Sequence, residues 1–160
     1  MASDIFAKLG DIKGESLDDK HKDEIEVLSI SWGVSNSGSM AHGSGGGEGK
    51  ASFSDLSFMH NVDKASPVLM QNCATGVHIK EATITHRKSG KGQQEYLIVK
   101  LNDVIVTSVQ NSGSSGGGDT TESVSIAFAK VSLEYKPQKP DGSLDAGVFF
   151  KYDLKANKEG

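Results

Sequence analysis

The sequence predicts a mainly β protein, an antiparallel β-barrel or sandwich carrying one short α-helix. Three observations lead there. Apolar and polar residues alternate with period two over most of the 160 residues, as strands with one buried face require. Turn-forming Gly, Pro, Asp and Ser clusters separate the alternating runs. One short segment alone combines helix start and stop signals. The length fits a single domain over residues 1–160. A chain of this size buries roughly 70% of its unfolded surface, so it folds without a metal or disulfide staple.

Taken in order, Ile5, Ala7 and Leu9 alternate with Phe6, Lys8 and Gly10 in the first strand. The charged stretch Ser16–Asp23 reads as a loop. Leu28, Ile30 and Trp32 share one face of a second strand, with Ser29 and Ser31 on the other. Burying a tryptophan removes about 150–250 Å² from water, so the Leu28/Ile30/Trp32 face is assigned to the core. Gly33–Gly49 holds seven glycines and reads as an extended loop at about 33–50. Ala51–Met59 is a further strand. Pro67–Thr75 is the helix, with Ser66 as its cap, Pro67 in the first turn and Gly76 as its stop. Leu69 and Cys73 share its inner face. Val77–Lys88 and Glu95–Val109 are paired strands joined by the hairpin tip Ser89–Gly92. In Glu122–Lys136 the apolar set switches from Val124, Ile126 and Phe128 to Val131, Leu133 and Tyr135, which requires a bulge or bend. Pro140-Asp141-Gly142 is a turn, and Val148–Leu154 is the last strand.

Composition excludes several functions. The 21 acids and 17 Lys and Arg give a net charge of −4 without a basic stripe, which argues against nucleic acid. No apolar run approaches the ~20 residues of a membrane span, and Met1–Lys13 lacks the regions of a cleaved leader. Cys73 is the only cysteine, consistent with a reducing compartment. Gly43–Lys50 imitates a phosphate loop, but Ser44 stands at the first glycine position and Ala51 at the metal-binding hydroxyl. His21, His42, His60, His78 and His86 show no metal-ligand spacing. Candidate hydroxyl nucleophiles sit in polar loops or alternating strands, and Cys73 reads as packing. No catalytic site, cofactor or metal is therefore expected, and the protein reads as a non-enzyme.

The order of motifs resembles one family over about residues 1–157. Asp11-Ile12-Lys13-Gly14-Glu15-Ser16 resembles the opening motif of the haemolysin co-regulated proteins (Hcp) of type VI secretion. Leu28–Gly33 resembles its second-strand signature, followed by a glycine-rich loop at the same place. Val62-Asp63-Lys64-Ala65-Ser66-Pro67-Val68-Leu69 resembles the entry to its helix. Glu95–Ile98, Val104–Val109 and Thr121–Phe128 resemble its long strands. Tyr152-Asp153 departs from the Trp-Asp or Trp-Asn often found there, which implies local repacking.

The resemblance implies a β-barrel-like subunit that assembles into a homohexameric ring. Rings stack into the inner tube of a contractile sheath, meet a VgrG-type spike, and carry effector proteins in the lumen. It implies a cytoplasmic protein before firing, secreted afterwards without a cleaved signal peptide, with no membrane insertion. No room is left for a C-terminal toxin domain. In such a ring Ser29 and Ser31 are expected to face the lumen. Gly38, Gly43 and Gly45 of the long loop, and Gly90 and Lys91 of the hairpin tip, are expected at subunit or ring-stacking contacts. The alternatives are a phage-type tail-tube protein and a monomeric ligand-binding β-barrel.

Overall fold

A computed structural model describes residues 2–38, 50–90 and 92–160. Strands β1 (Ser3–Leu9), β2 (Ile25–Val27), β3 (Ser29–Ser31), β4 (Val34–Asn36), β5 (Ala51–Phe53) and β6 (Leu56–Asn61) precede helix α1 (Ser66–Thr75). Strands β7 (His78–Lys88), β8 (Glu95–Ser112), β9 (Thr121–Tyr135), β10 (Val148–Asp153) and β11 (Lys158–Glu159) follow it.

Every pairing is antiparallel. β1 lies between β2 and β7; β7 pairs with β8, β8 with β9, β9 with β6, and β6 with β3. Only Leu28 separates β2 from β3, so this series closes on itself and the sheet is a barrel. Closure removes the open edges that a flat sheet would present. It also corrects the expectation for Leu28. The chain changes partner there, from β1 to β6, and the Leu28 amide donates to the Met59 carbonyl at 2.7 Å. The kink turns Leu28 outward, 57% exposed, while Ile30 and Trp32 stay half-buried against the core.

The barrel interior is filled by Leu9, Ile25, Leu56, Phe58, Ile84, Leu101, Val104, Val124 and Ile126. The expected switch in β9 is present. Its buried apolar residues are Val124, Ile126 and Phe128, then Ala129 and Val131. β8 switches at the same level, from Val99 and Leu101 to Val104 and Val106. Between them Asp103 takes a left-handed φ of 53° opposite the switch in β9. A second irregularity places Thr107 as an extra residue in β8 between Val106 and Ser108. At the switch β9 also exchanges its other neighbour: Thr121–Ile126 pair with β6, and Lys130–Tyr135 pair with β10. One long strand thus serves both the barrel and a sheet extension.

Two boundaries differ from expectation. Ser66 is not the helix cap: Ala65 holds that position without a side-chain bond, and the Ser66 hydroxyl accepts from the Asp63 amide at 3.1 Å. Asp63 in turn accepts from the Ala65 amide, so the turn preceding the helix satisfies itself. Gly76 ends the helix in the left-handed conformation, φ 69°, as its position requires. The loop assigned to Gly33–Gly49 begins as a strand, because Val34–Asn36 pair with Ala51–Phe53 in a separate two-stranded ribbon. Ser54 and Asp55 then break Ala51–Met59 into β5 and β6.

Candidate assembly surfaces

Among the described residues no three His, Cys, Asp or Glu side chains are placed to hold a metal ion together. Two polar clusters fasten the barrel. In the first, the loop residue His21 stacks on Phe6 at 4.5 Å and lies 2.8 Å from Glu24 and 2.7 Å from Glu95. On the same aromatic ring sits the Arg87 guanidinium, which donates two 2.8 Å bonds to Asp18 and one of 3.3 Å to Asp4. Hydrogen bonding from Arg87 holds the Asp18 carboxyl down at about 2, below its ordinary 3.8. The polar stretch Ser16–Asp23 is thus a loop, as expected, but a firmly anchored one.

The second cluster is a cross-strand row. His60, Glu122 and Asn111 stand opposite one another on β6, β9 and β8. His60 Nε2 lies 2.8 Å from Glu122 Oε1, and the Asn111 amide donates to Glu122 Oε2. His60 and Glu122 are both fully buried. Asp63 Oδ2 lies 3.7 Å from His60 Nδ1, and desolvation raises the Asp63 carboxyl above its ordinary range. Sequence spacing hides both clusters, since the first joins the Asp18–Glu24 loop to β1, β7 and β8 and the second joins β6, β9 and β8.

The other histidines give no site either: His78 is exposed, His86 packs edge-on to Tyr96 with its pKa lowered by burial, and His42 lies outside the described residues. Ala51, at the end of the phosphate-loop imitation, starts β5 rather than a helix. Gly113-Ser114-Ser115-Gly116-Gly117 spells a Gly-x-Ser-x-Gly that the sequence reading passed over. It occupies the turn between β8 and β9, where no helix follows to form a nucleophile elbow. Cys73 is half-buried against the core, as its packing role requires.

The surface is more informative. β3, β6, β9 and β8 present an outward row of Ser31, Ser57, Ser125 and Ser108, each opposite the next. The neighbouring row is Ser29, Met59, Ser123 and Gln110. Ser57 and Ser125 hydroxyls are hydrogen-bonded at 2.8 Å. The two rows form an uncharged, mostly small-polar wall across four strands of a chain whose residues are 24% charged. Ser29 and Ser31 are exposed on it.

Two other regions leave strands uncovered. Beyond β9, the outer edge of β10 meets β11 only at Tyr152 and Asp153, so Val148–Phe150 have no strand partner there among the described residues. Val148 (66%) and Phe149 (56%) are exposed at that edge beside half-exposed Tyr135. The β4–β5 ribbon also stands apart from the main sheet, and Val34 is exposed on it. An isolated two-stranded ribbon is marginal in water. Here an aromatic cluster roots it: Phe53 of β5 lies 5.2 Å from Tyr152, 6.2 Å from Phe128 and 6.3 Å from Phe150, and Trp32 meets Phe128 edge-on. Tyr152 thus fills an aromatic position, and its hydroxyl also bonds Asn157 at 2.8 Å.

Gly38 is exposed just past β4, its amide donating to Asn36 Oδ1 at 2.7 Å. Gly90 is exposed in the β7–β8 tip with φ 111°. Gly43, Gly45 and Lys91 lie outside the described residues.

A family model described as "Type VI secretion system effector, Hcp" matches residues 6–135. The protein hcp1 of Pseudomonas aeruginosa is 48% identical over 159 residues, covering 98% of each chain. A solved structure of a type six secretion system protein shares 33% identity at a TM-score of 0.94, covering 99% of this chain and 100% of the other. The crystal structure of Hcp1 from Salmonella typhimurium shares 42% identity at a TM-score of 0.82, covering 99% of both.

Proposed function

The chain belongs to the Hcp family of type VI secretion system proteins, and from that premise we infer that it is a subunit of the secretion tube. The whole-length likeness to Hcp proteins carries this reading. In it, six copies close a homohexameric ring, rings stack inside a contractile sheath behind a VgrG-type spike, and effectors travel in the lumen. The role is structural. A monomeric ligand-binding barrel is disfavoured because Leu9, Leu56, Leu101 and Ile126 fill the barrel's interior.

The surfaces support the assembly. A heterologous contact that closes on rotation makes a ring. The open edge of β10, with Val148 and Phe149, and the rooted ribbon, with Val34 and Gly38, are strand surfaces that a neighbour would cover. The small-polar wall holding Ser29 and Ser31 suits a lumen: it leaves space, offers hydrogen bonds, and carries no charge to trap one cargo by sign. Gly90, at the hairpin tip, is assigned on this reading to contacts between subunits or stacked rings. In the cell, on this reading, the protein waits in the cytoplasm and leaves through the machine.

Size exclusion with light scattering, followed by electron microscopy, tests the reading. Six chains of 16.9 kDa give about 101 kDa and a ring with an open centre. A monomer at micromolar concentration overturns it.

A further inference from the structure

His60 stands near the end of β6, and Asp63 follows in the turn that opens helix α1. The turn is anchored on two sides. The Val62 amide donates to the Thr120 carbonyl at 2.9 Å, and the Lys64 amide donates to Glu15 at 2.8 Å. Asp63 shapes the turn from within: its Oδ1 accepts from the Ala65 amide at 2.9 Å, and its carbonyl accepts from the Ser66 amide at 3.0 Å. Its other carboxyl oxygen, Oδ2, lies 3.7 Å from His60 Nδ1. That nitrogen is buried and has no hydrogen-bond partner among the described residues.

Proton accounting explains the gap. An ionised carboxylate only accepts hydrogen bonds. Glu122 Oε2 receives the Asn111 amide, and Oε1, 2.8 Å from His60 Nε2, is met by an Nε2–H. In the neutral imidazole Nδ1 is then a lone pair. It faces a second acceptor, and two acceptors hold each other off, beyond the roughly 2.8 Å of a charge-assisted bond. One further proton changes the contact. On Oδ2 or on Nδ1 it makes the same bridge, and a proton on Glu122 moves the imidazole hydrogen to Nδ1 with the same result.

The surroundings favour that proton. Burial raises the Asp63 carboxyl above its ordinary 3.8; the Ala65 amide and His60 oppose the rise, and the Glu15 and Glu122 carboxylates add to it. The groove that Asp63 lines is further lined by Asp4, Asp18, Glu26 and Arg87, and Arg87 is bonded to Asp18 and Asp4. The neighbouring cation in the chain, Lys64, is exposed. We propose that His60 and Asp63 form an acid-strengthened latch, in which one proton taken up from solvent joins Nδ1 to Oδ2 and draws the entry of α1 onto β6. The latch lies within one subunit and goes beyond the tube reading. A carboxyl raised on folding stabilises the fold below its ordinary 3.8 and loses that contribution as pH rises through its raised value. The latch is therefore closed in acid and open in alkali.

Asp63→Asn imitates the closed form. Its amide oxygen still accepts from Ala65, and its amide nitrogen donates to Nδ1 at every pH. In full-length chains at one fixed concentration, this variant should melt about 2–6 °C above the wild type at pH 8. The gap should close toward pH 4 as the wild type takes up its proton. Other titrating groups, the Asp18–Arg87 pair included, are common to both chains and cancel in the difference. Glu15→Gln keeps an acceptor for the Lys64 amide and removes one neighbouring charge, so in that background the gap should close at lower pH. Hydrogen exchange read by mass spectrometry, corrected for the intrinsic effect of pH, adds a local readout. Residues 62–69 of the wild type should be about fivefold better protected at pH 5 than at pH 8, and those of Asp63→Asn should change little. An Asp63→Asn chain that melts at or below the wild type at pH 8, or a gap that stays constant from pH 8 to pH 4, overturns the latch, whether or not rings form.

Discussion

Replacing Glu122 with alanine isolates the fastening that holds β6 to β9. The carboxylate is fully buried and receives both His60 and Asn111. Without it, His60 is left buried with neither ring nitrogen hydrogen-bonded among the described residues, because Nδ1 has only the Asp63 carboxyl 3.7 Å away, beyond hydrogen-bond reach. Each stranded buried polar group costs about 1–3 kcal/mol, and breaking a buried pair from one side costs roughly 3–5 kcal/mol. For a chain of this length each kcal/mol lowers the melting temperature by about 2–4 °C. Glu122→Ala should therefore melt about 6–20 °C early. The double variant His60→Leu/Glu122→Leu should recover most of that loss, since an apolar pair of similar volume carries no desolvation penalty. Circular dichroism melts at one fixed protein concentration measure both, because assembly itself shifts apparent stability. A Glu122→Ala shift under about 3 °C, or a double variant no more stable than the single one, would refute the argument.

Three further outcomes follow. Phe149→Glu should leave the melting temperature of the subunit within a few degrees while abolishing rings, read by light scattering, because Phe149 is 56% exposed at an uncovered edge. The Asp18–Arg87 pair lowers the Asp18 pKa, so its contribution is present above 3.8 and is lost as pH falls through about 2; acid unfolding of Asp18→Asn should lack that part of the wild-type decline. Ser31→Trp should assemble normally yet retain less effector, measured by co-purification, and unchanged retention removes the lumen assignment.

Much of the barrel was legible because period two survives in the long strands. β7, β8 and β9 alternate over many residues, and the face switch in β9 was readable from Phe128 to Val131. Its cause was not, because a left-handed Asp103 in the partner strand leaves no mark in the pattern. Leu28 misled for a related reason. Alternation assumes one strand with one pair of neighbours, and at Leu28 the neighbours change. Ser66 looked like a cap because its residue type and the following Pro67 fit one, yet its hydroxyl turns back to Asp63. The serine wall was half legible. Ser29 and Ser31 announced a polar face, but its continuation through Ser57, Ser125 and Ser108 depends on register between distant strands. The His60–Glu122–Asn111 row has the same origin and was invisible for the same reason, while the His21 and Arg87 cluster depends on where the Asp18–Glu24 loop folds back onto β1, β7 and β8.

The structure divides the chain's work by location. What closes the barrel lies within one subunit: the strands pair in a cycle, the interior is filled, and the buried His60–Glu122 pair joins β6 to β9. Among the described residues, the strand surfaces left uncovered lie outside that cycle, at the free edge of β10 and on the ribbon held by Phe53. A subunit built this way should fold before it assembles, and its uncovered strand surfaces should tolerate change without loss of the barrel. Glu122→Ala and Phe149→Glu should therefore dissociate the two properties in opposite directions, the first lowering the melting temperature of chains that still recognise one another, the second leaving a stable chain that no longer does. If both variants lost stability and rings together, folding and assembly would be one cooperative event and the division would fail.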